Sequence, residues 1–312
     1  MSDVHDRFFE NLDAFNSALV HEFLVTKDPV TQKLHNKRAQ ILRNGLAVTG
    51  FVILEDFVKS RTSEIIQRIG TGLTSFNKLP EGIKAAATEG VVKALLVQIK
   101  RGVTDSKSKS EFIQDHAKKI GNTNGSSYTV SHLSFFHDKS NVDKSDIENI
   151  LTAFKVDNPW GSISGIAKNC GLGGASDYKA MFEAASARRH NAAHSIFAET
   201  EISDLISFSE QILGFAIGFE FLLSTALNLI ICLDSDYTIK KSINHKAVRL
   251  KTLELKGKVW REITFGRSRA TKTDASKDVL IESCLKKSQK DGSCVVIKNS
   301  KGFPEAWHTP FI

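Results

Sequence analysis

Apolar residues recur at three- and four-residue spacing along most of the chain, the period of helices packed on one face. Phe8, Leu12, Phe15, Leu19 and Phe23 form one such stripe. It predicts a helix over residues 3–25, ended by Asp28-Pro29. A second, longer helix is expected over 31–69, carried by Leu34, Ile41, Leu42, Leu46, Val48, Phe51, Val52, Leu54, Phe57 and Val58. Gly45 and Gly50 weaken it locally. Within it, Glu55 and Asp56 stand among apolar neighbours, where a carboxylate is costly unless paired, functional or turned to a polar side. Pro80 suits a first helical turn, and the pattern continues through Val91, Val92, Leu95, Leu96 and Ile99. A polar linker at 105–110 precedes a short helix over 111–120, and Asn122 to Ser127 reads as a loop. Ser145-Asp146-Ile147-Glu148 has the form of a capping box and opens a helix through Phe154. Residues 156–176, with Pro159 and five glycines, read as an irregular excursion. Helices follow over 177–196 and from Thr200 onward.

After Leu250 the texture changes. Val259 to Phe265 alternates like a strand, 274–287 is helical in pattern, and Cys294-Val295-Val296-Ile297 is a short apolar strand after a Lys290–Ser293 turn. The expectation is a mainly α chain: a helical domain over 1–250 and a small basic α+β domain over 251–312, with no internal repeat.

The run Ile212–Leu233 is long and apolar enough to cross a bilayer. Glu220 lies in its middle, where a lone carboxylate is expensive in lipid. The segment therefore reads as a buried helix, with no membrane. Four scattered cysteines, none in a C-x-x-C pair, point to reduced thiols in the cytoplasm. The first residues lack the order of a signal peptide. The net charge of +7 is unevenly spread: residues 251–312 hold 13 Lys/Arg against 7 Asp/Glu. Such a tail favours polyanionic partners, nucleic acid first, or simply a solvated surface.

The densest polar cluster is Ala187-Arg188-Arg189-His190-Asn191-Ala192-Ala193-His194-Ser195. One reading is a ribonuclease pair, Arg189 and His194. Forming a 2′,3′-cyclic phosphate needs a group near neutral pKa to move the 2′-hydroxyl proton, and a fixed cation for the phosphate. On a regular helix the two lie about 140° apart, so Arg189 must reach round or the helix must start inside the motif. A symmetric dimer would bring two such motifs to one cleft. A second reading is a metal site at His190 and His194, which share a face, with Glu199 or Cys170 as a distant third ligand. A third is a non-catalytic patch in which Arg188 and Arg189 contact phosphates. A fourth is purely structural. An Arg four to six residues before a His arises roughly once by chance in a chain of this composition, so the motif alone is weak. His132 and His137 flank Phe135-Phe136 as a possible pocket, and Trp160, Trp260 and Trp307 suit packing better than base stacking.

The arrangement resembles the HEPN superfamily over residues 30–235. An early helix carries the apolar-acidic segment Ile53-Leu54-Glu55-Asp56-Phe57, an insertion follows, and then Arg189-His190-Asn191-Ala192-Ala193-His194 precedes a closing helix. Ser195 stands where Gly is common, His190 where Asn is common, and Arg188 fits a looser Arg-x5-His spacing. The resemblance implies a HEPN-like helical bundle and an endoribonuclease without metal or cofactor. It would act on RNA as a homodimer with the site at the interface, in phage defence or beside an antitoxin. By the same resemblance, Arg189 would hold the scissile phosphate and His194 would act as base or acid. His190 and Asn191 would assist, Glu55 would orient a site residue or neutralise an arginine, and Arg188 and Ser195 would contact substrate. The alternative it allows is a helical module that binds RNA, a nucleotide or a partner without turnover.

Overall fold

The computed structural model describes residues 3–71, 74–102, 104, 107–124, 128–135, 141–173, 177–239 and 241–310. Phe136 and His137 lie outside the described residues.

Helix α1 (Asp3–Leu19) turns Val4, Phe8, Leu12, Phe15 and Leu19 inward. It stops short of the expected end: Phe23 falls in a 3-10 turn and is 54% exposed, so the last member of the stripe faces water. Helix α2 (Lys33–Arg68) runs 36 residues as expected. Then come α3 (Glu81–Ala85), a π-helical turn over Ala86–Gly90, and α4 (Val91–Arg101). Helix α5 (Lys109–Gly121) opens on a capping box of Ser108 and Glu111.

Helix α6 (Lys144–Ala153) is capped by Asp143, with Asp146 completing the box, and not by Ser145. The expected irregular excursion contains a helix, α7 (Pro159–Asn169). Asn158 adopts a left-handed backbone with φ of 44° and caps the Gly161 N–H, while Pro159 occupies the first turn, where its missing N–H costs nothing. Trp160, Ile163, Ile166 and Ala167 are its buried face. Helix α8 (Tyr178–His194) is capped by Asp177, whose carboxylate accepts from the Lys179 and Ala180 N–H groups.

Helix α9 (Ile202–Ile231) is the centre of the molecule. Phe215, Phe219, Phe221, Leu222 and Leu223 have no exposed surface, and 78% of its most apolar window is buried. Length and composition would let it cross a membrane, but here protein covers it. Helix α7 lies close against it because Gly218 faces Ile163: a Cβ there would come within 2.9 Å of the Ile163 carbonyl oxygen. A short α10 (Ser235–Ile239) follows.

The C-terminal part is a five-stranded sheet of β1 (Leu250–Lys256), β2 (Val259–Thr264), β3 (Lys272–Asp274), β4 (Cys294–Lys298) and β5 (Pro304–His308), with α11 (Lys277–Asp291) between β3 and β4. Strand order is β3-β2-β1-β4-β5, and only the β1/β4 pair is parallel. One face carries Leu253, Val295 and Ile297 onto Leu280 and Cys284 of α11. The other sends Leu250, Cys294, Val296 and Trp307 into the main helical core.

At that joint lies a buried polar network. Glu220 accepts from the indole of Trp307 at 2.9 Å, meets His5 Nε2 at 2.6 Å and pairs with Arg61 at 3.0 Å. Arg61 also reaches Glu64 at 2.6 Å and Thr309 at 3.4 Å. Burial alone would push the Glu220 carboxyl up, but Arg61, His5 and the indole N–H outweigh it and hold it below the ordinary carboxylate range. The carboxylate that looked costly in the sequence is thus the knot joining α1, α2, α9 and β5.

Candidate active site

The polar cluster singled out in the sequence occupies the last turns of α8, which remains helical through His194. The idea that the helix starts inside the motif therefore fails, and Arg189 and His194 point about 140° apart. The two sides of α8 differ accordingly.

Arg189 is half-buried and faces α2 and the chain before α6. Its Nη2 donates to Asn141 Oδ1 at 3.0 Å, while its Nε is buried with no partner among the described residues. Beside it, Glu55 is buried on α2 and accepts the Val142 N–H at 2.6 Å. Burial raises the Glu55 carboxyl above its ordinary value, opposed by the Val142 N–H and by the charges of Lys59 and Arg189. Glu55 and Arg189, far apart in the chain, thus each bind the 141–142 segment, Glu55 at Val142 and Arg189 at Asn141. Arg188, by contrast, reaches toward the start of α9, where Asp204 pairs with it at 3.3 Å.

His190, Asn191 and His194 are exposed. The two imidazoles lie 4.7 Å apart between ring centres, as their four-residue spacing requires. They open onto separate clefts. His190 and Asn191 line one of about 420 Å³ with Lys144, Glu183 and Ser186. His194 and Ser195 line another of about 560 Å³ with Lys37, Ile41, Asn44, Val48 and Ile196. Ser195 ends α8, its N–H bonded to the Asn191 carbonyl and its hydroxyl accepting the Phe197 N–H at 3.2 Å. Among the described residues, no three His, Cys, Asp or Glu side chains converge as a metal site would need. Cys170 is buried at the end of α7, and Glu199 is exposed.

The chain just beyond His194 is fastened to α2. Gln40 and Asn44 donate to the Ala198 carbonyl at 2.7 and 2.8 Å, and Arg43 to that of Thr200 at 2.6 Å. This clamp fixes where α8 ends and therefore where His194 stands. It leaves Asn44 Oδ1 buried, with no partner among the described residues, beside the His194 cleft. Asn141, Lys59, Asn44 and Lys37 were not singled out in the sequence. Lys59 alone carried a local signal, four residues after Glu55 on one helix face.

His132 sits in a 3-10 turn with its ring 5.2 Å from that of His116. Of the tryptophans, Trp307 is fully buried, Trp160 is buried and donates to Glu148 at 2.8 Å, and Trp260 lies under the Lys277 ammonium.

A family model described as RiboL-PSP-HEPN matches residues 20–224, a span that includes both Glu55 and the Arg189–His194 segment. No curated protein and no solved structure matches the chain. With more than half of its length under that model, the chain belongs to the RiboL-PSP-HEPN family.

Proposed function

We propose that this HEPN-type protein is a metal-independent endoribonuclease that works as a cytoplasmic homodimer, in phage defence or in a toxin–antitoxin pair. The observation that carries the reading is the division of labour on α8. A guanidinium is held by Asn141 within electrostatic reach of the buried Glu55 carboxylate, one turn from an exposed imidazole pair. Arg189 supplies the fixed positive charge for a scissile phosphate. His194 takes the proton of the 2′-hydroxyl or gives one to the leaving 5′-oxygen, and His190 stands close enough to share that work. Asn191 offers a hydrogen bond from the same exposed turn. Glu55 holds Arg189 in place and does not meet substrate.

The 140° between Arg189 and His194 is what calls for a second subunit. The His194 cleft is lined by Ile41 and Ile196, 61% and 77% exposed, and Leu34 on α2 and Phe197 next to Ile196 are exposed as well, at 65% and 82%. A two-fold pairing across this face covers these apolar residues and places two copies of the motif in one cleft.

The same angle, with Arg188 already engaged by Asp204, favours a second reading: a binding module without turnover. Labelled RNA incubated with the purified protein in EDTA separates the two. Cleavage by the wild type and not by His194→Ala or Arg189→Ala supports the nuclease. RNA retained intact by the wild type supports the module.

A further inference from the structure

Helix α2 begins against the usual electrostatic preference. The positive end of a helix dipole favours acids in the first turn. Here the first turn holds none, and the first two turns carry Lys33, Lys37 and Arg38. No Asp or Glu stands anywhere from residue 29 to 54. Residues 184–198, which end α8 and lead into the segment fastened to α2, contain none either. Among the described residues, Lys33, Lys37 and Arg38 make no ion pair. The acid that precedes them, Asp28, spends its carboxylate on the Val30 and Thr31 N–H groups and the Thr31 hydroxyl.

These cations lead along the helix to the His194 cleft. Lys33 and Lys37 are four apart, and Ile41, Asn44 and Val48 continue the same face at steps of four, three and four. Arg38 and Gly45, seven apart, share the neighbouring line. Lys37 itself lines the cleft of about 560 Å³, where its ammonium donates to Gln40 Oε1 at 2.9 Å and to the Ile196 carbonyl at 3.4 Å.

Part of the cleft wall is a glycine that packing does not require. Gly50, on the same helix, is pressed by Phe15, whose ring would lie 2.9 Å from an added Cβ. An added Cβ at Gly45 would meet nothing within 4 Å. Alanine would suit this helix interior better. What the missing side chain supplies is room in the cleft, beside the apolar Ile41, Val48 and Ile196.

We propose that this face of α2 is the track by which single-stranded RNA enters the α8 site, with phosphates on Lys33, Lys37 and Arg38 and one nucleobase seated against Gly45 beside His194. The proposal rests on the nuclease reading for its choice of polyanion and deepens it by naming where substrate is held. Cations along a groove track a nucleic-acid backbone, and the cleft has the size of a site for one small ligand. An acidic peptide would satisfy the cations but has no flat apolar group to offer the slot at every step. In the two-fold pairing proposed above, both tracks run to the shared cleft, and phosphates between them offset the repulsion of like charges.

The test is fluorescence anisotropy with a labelled 2′-O-methyl oligouridylate of about twelve nucleotides, which offers no 2′-hydroxyl to attack and spans a typical single-strand site. The double variant Lys33→Ala/Arg38→Ala should weaken binding at least about tenfold and flatten the salt dependence by roughly 1.4 in log–log slope. Gly45→Leu, which fills the slot, should weaken it about fivefold to tenfold through lost apolar burial, with the salt slope unchanged. An abasic oligomer of equal length should bind Gly45→Leu and the wild type alike. Lys286→Ala, on an ion-paired lysine of α11, should bind as wild type does. Thermal melts and light scattering establish that each variant keeps the fold and mass of the wild type. Wild-type affinity in the double variant would overturn the track, and wild-type affinity in Gly45→Leu would overturn the base slot. Competition by poly-L-glutamate as strong as by unlabelled oligouridylate would overturn RNA as the occupant. The cleavage assay stands apart. Binding that depends on this face, without cleavage, keeps the track and removes the nuclease; cleavage with binding indifferent to this face does the reverse.

Discussion

Arg189 owes its position to groups that are remote in the chain. Asn141 holds one nitrogen, and the buried Glu55 lies beside it. Asn141→Ala should loosen the guanidinium and lower RNA cleavage about tenfold, the value of one hydrogen bond to a charged group, while leaving the melting temperature nearly unchanged. Undiminished cleavage by a folded variant would mean that Arg189 needs no such support. Glu55 makes a prediction about pH. Because burial raises its carboxyl value in the fold, its contribution to stability is present at low pH and lost as pH rises through the folded value. Urea melts at about pH 5 and about pH 8 should show Glu55→Gln gaining on the wild type at the higher pH. An equal difference at both would contradict the burial argument. Arg189, His194 and Glu55 were legible in the sequence because their residue types stand out against helical periodicity. Asn141 was not, because a loop asparagine leaves no periodic trace and its partner is 48 positions away.

The long helices α2, α8 and α9 could be read from spacing alone, since a sustained apolar face leaves a 3.6-residue period. Helix α7 could not, because Gly161 and Gly165 and the preceding Pro159 carry the usual marks of a loop. Its existence depends on the Asn158 cap and on packing against α9. Asn158→Ala should therefore cost about 1–2 kcal/mol, read in a denaturant melt, through the lost cap and the strained left-handed backbone. Strands β1 and β5 escaped notice for a different reason. They are mixed in polarity, without a sustained alternation, and they pair with β4 between them. The exposed stripe of α2 belongs to this scale too. Ile41→Glu should give a monomer by light scattering at micromolar concentration and lose cleavage with it. A monomeric variant that still cleaves would place a complete site within one subunit.

Across the whole molecule, the family match covers residues 20–224, from the end of α1 into α9, whereas the union of bundle and sheet rests on side chains from its two ends. His5 and Trp307 converge on Glu220, and Arg61 supplies the balancing charge. No local pattern discloses such a knot, although Glu220 betrayed itself as a lone acid in an apolar run. Arg61→Ala should destabilise the fold by about 3–5 kcal/mol, because it leaves a buried carboxylate uncompensated. The folded value of Glu220 is depressed, so its contribution is present above the ordinary carboxylate range and is lost as pH falls through the folded value. Loss of near-UV dichroism from the buried Trp307 should mark that acid transition.

The nuclease claim is tested most directly by the chemistry of the ends it leaves. After reaction in EDTA, the account predicts fragments with 2′,3′-cyclic phosphate and 5′-hydroxyl ends. His194→Ala, prepared in parallel, should make them at least about a hundredfold more slowly. Fragments ending in 3′-hydroxyl and 5′-phosphate, or equal cleavage by the variant, would contradict it.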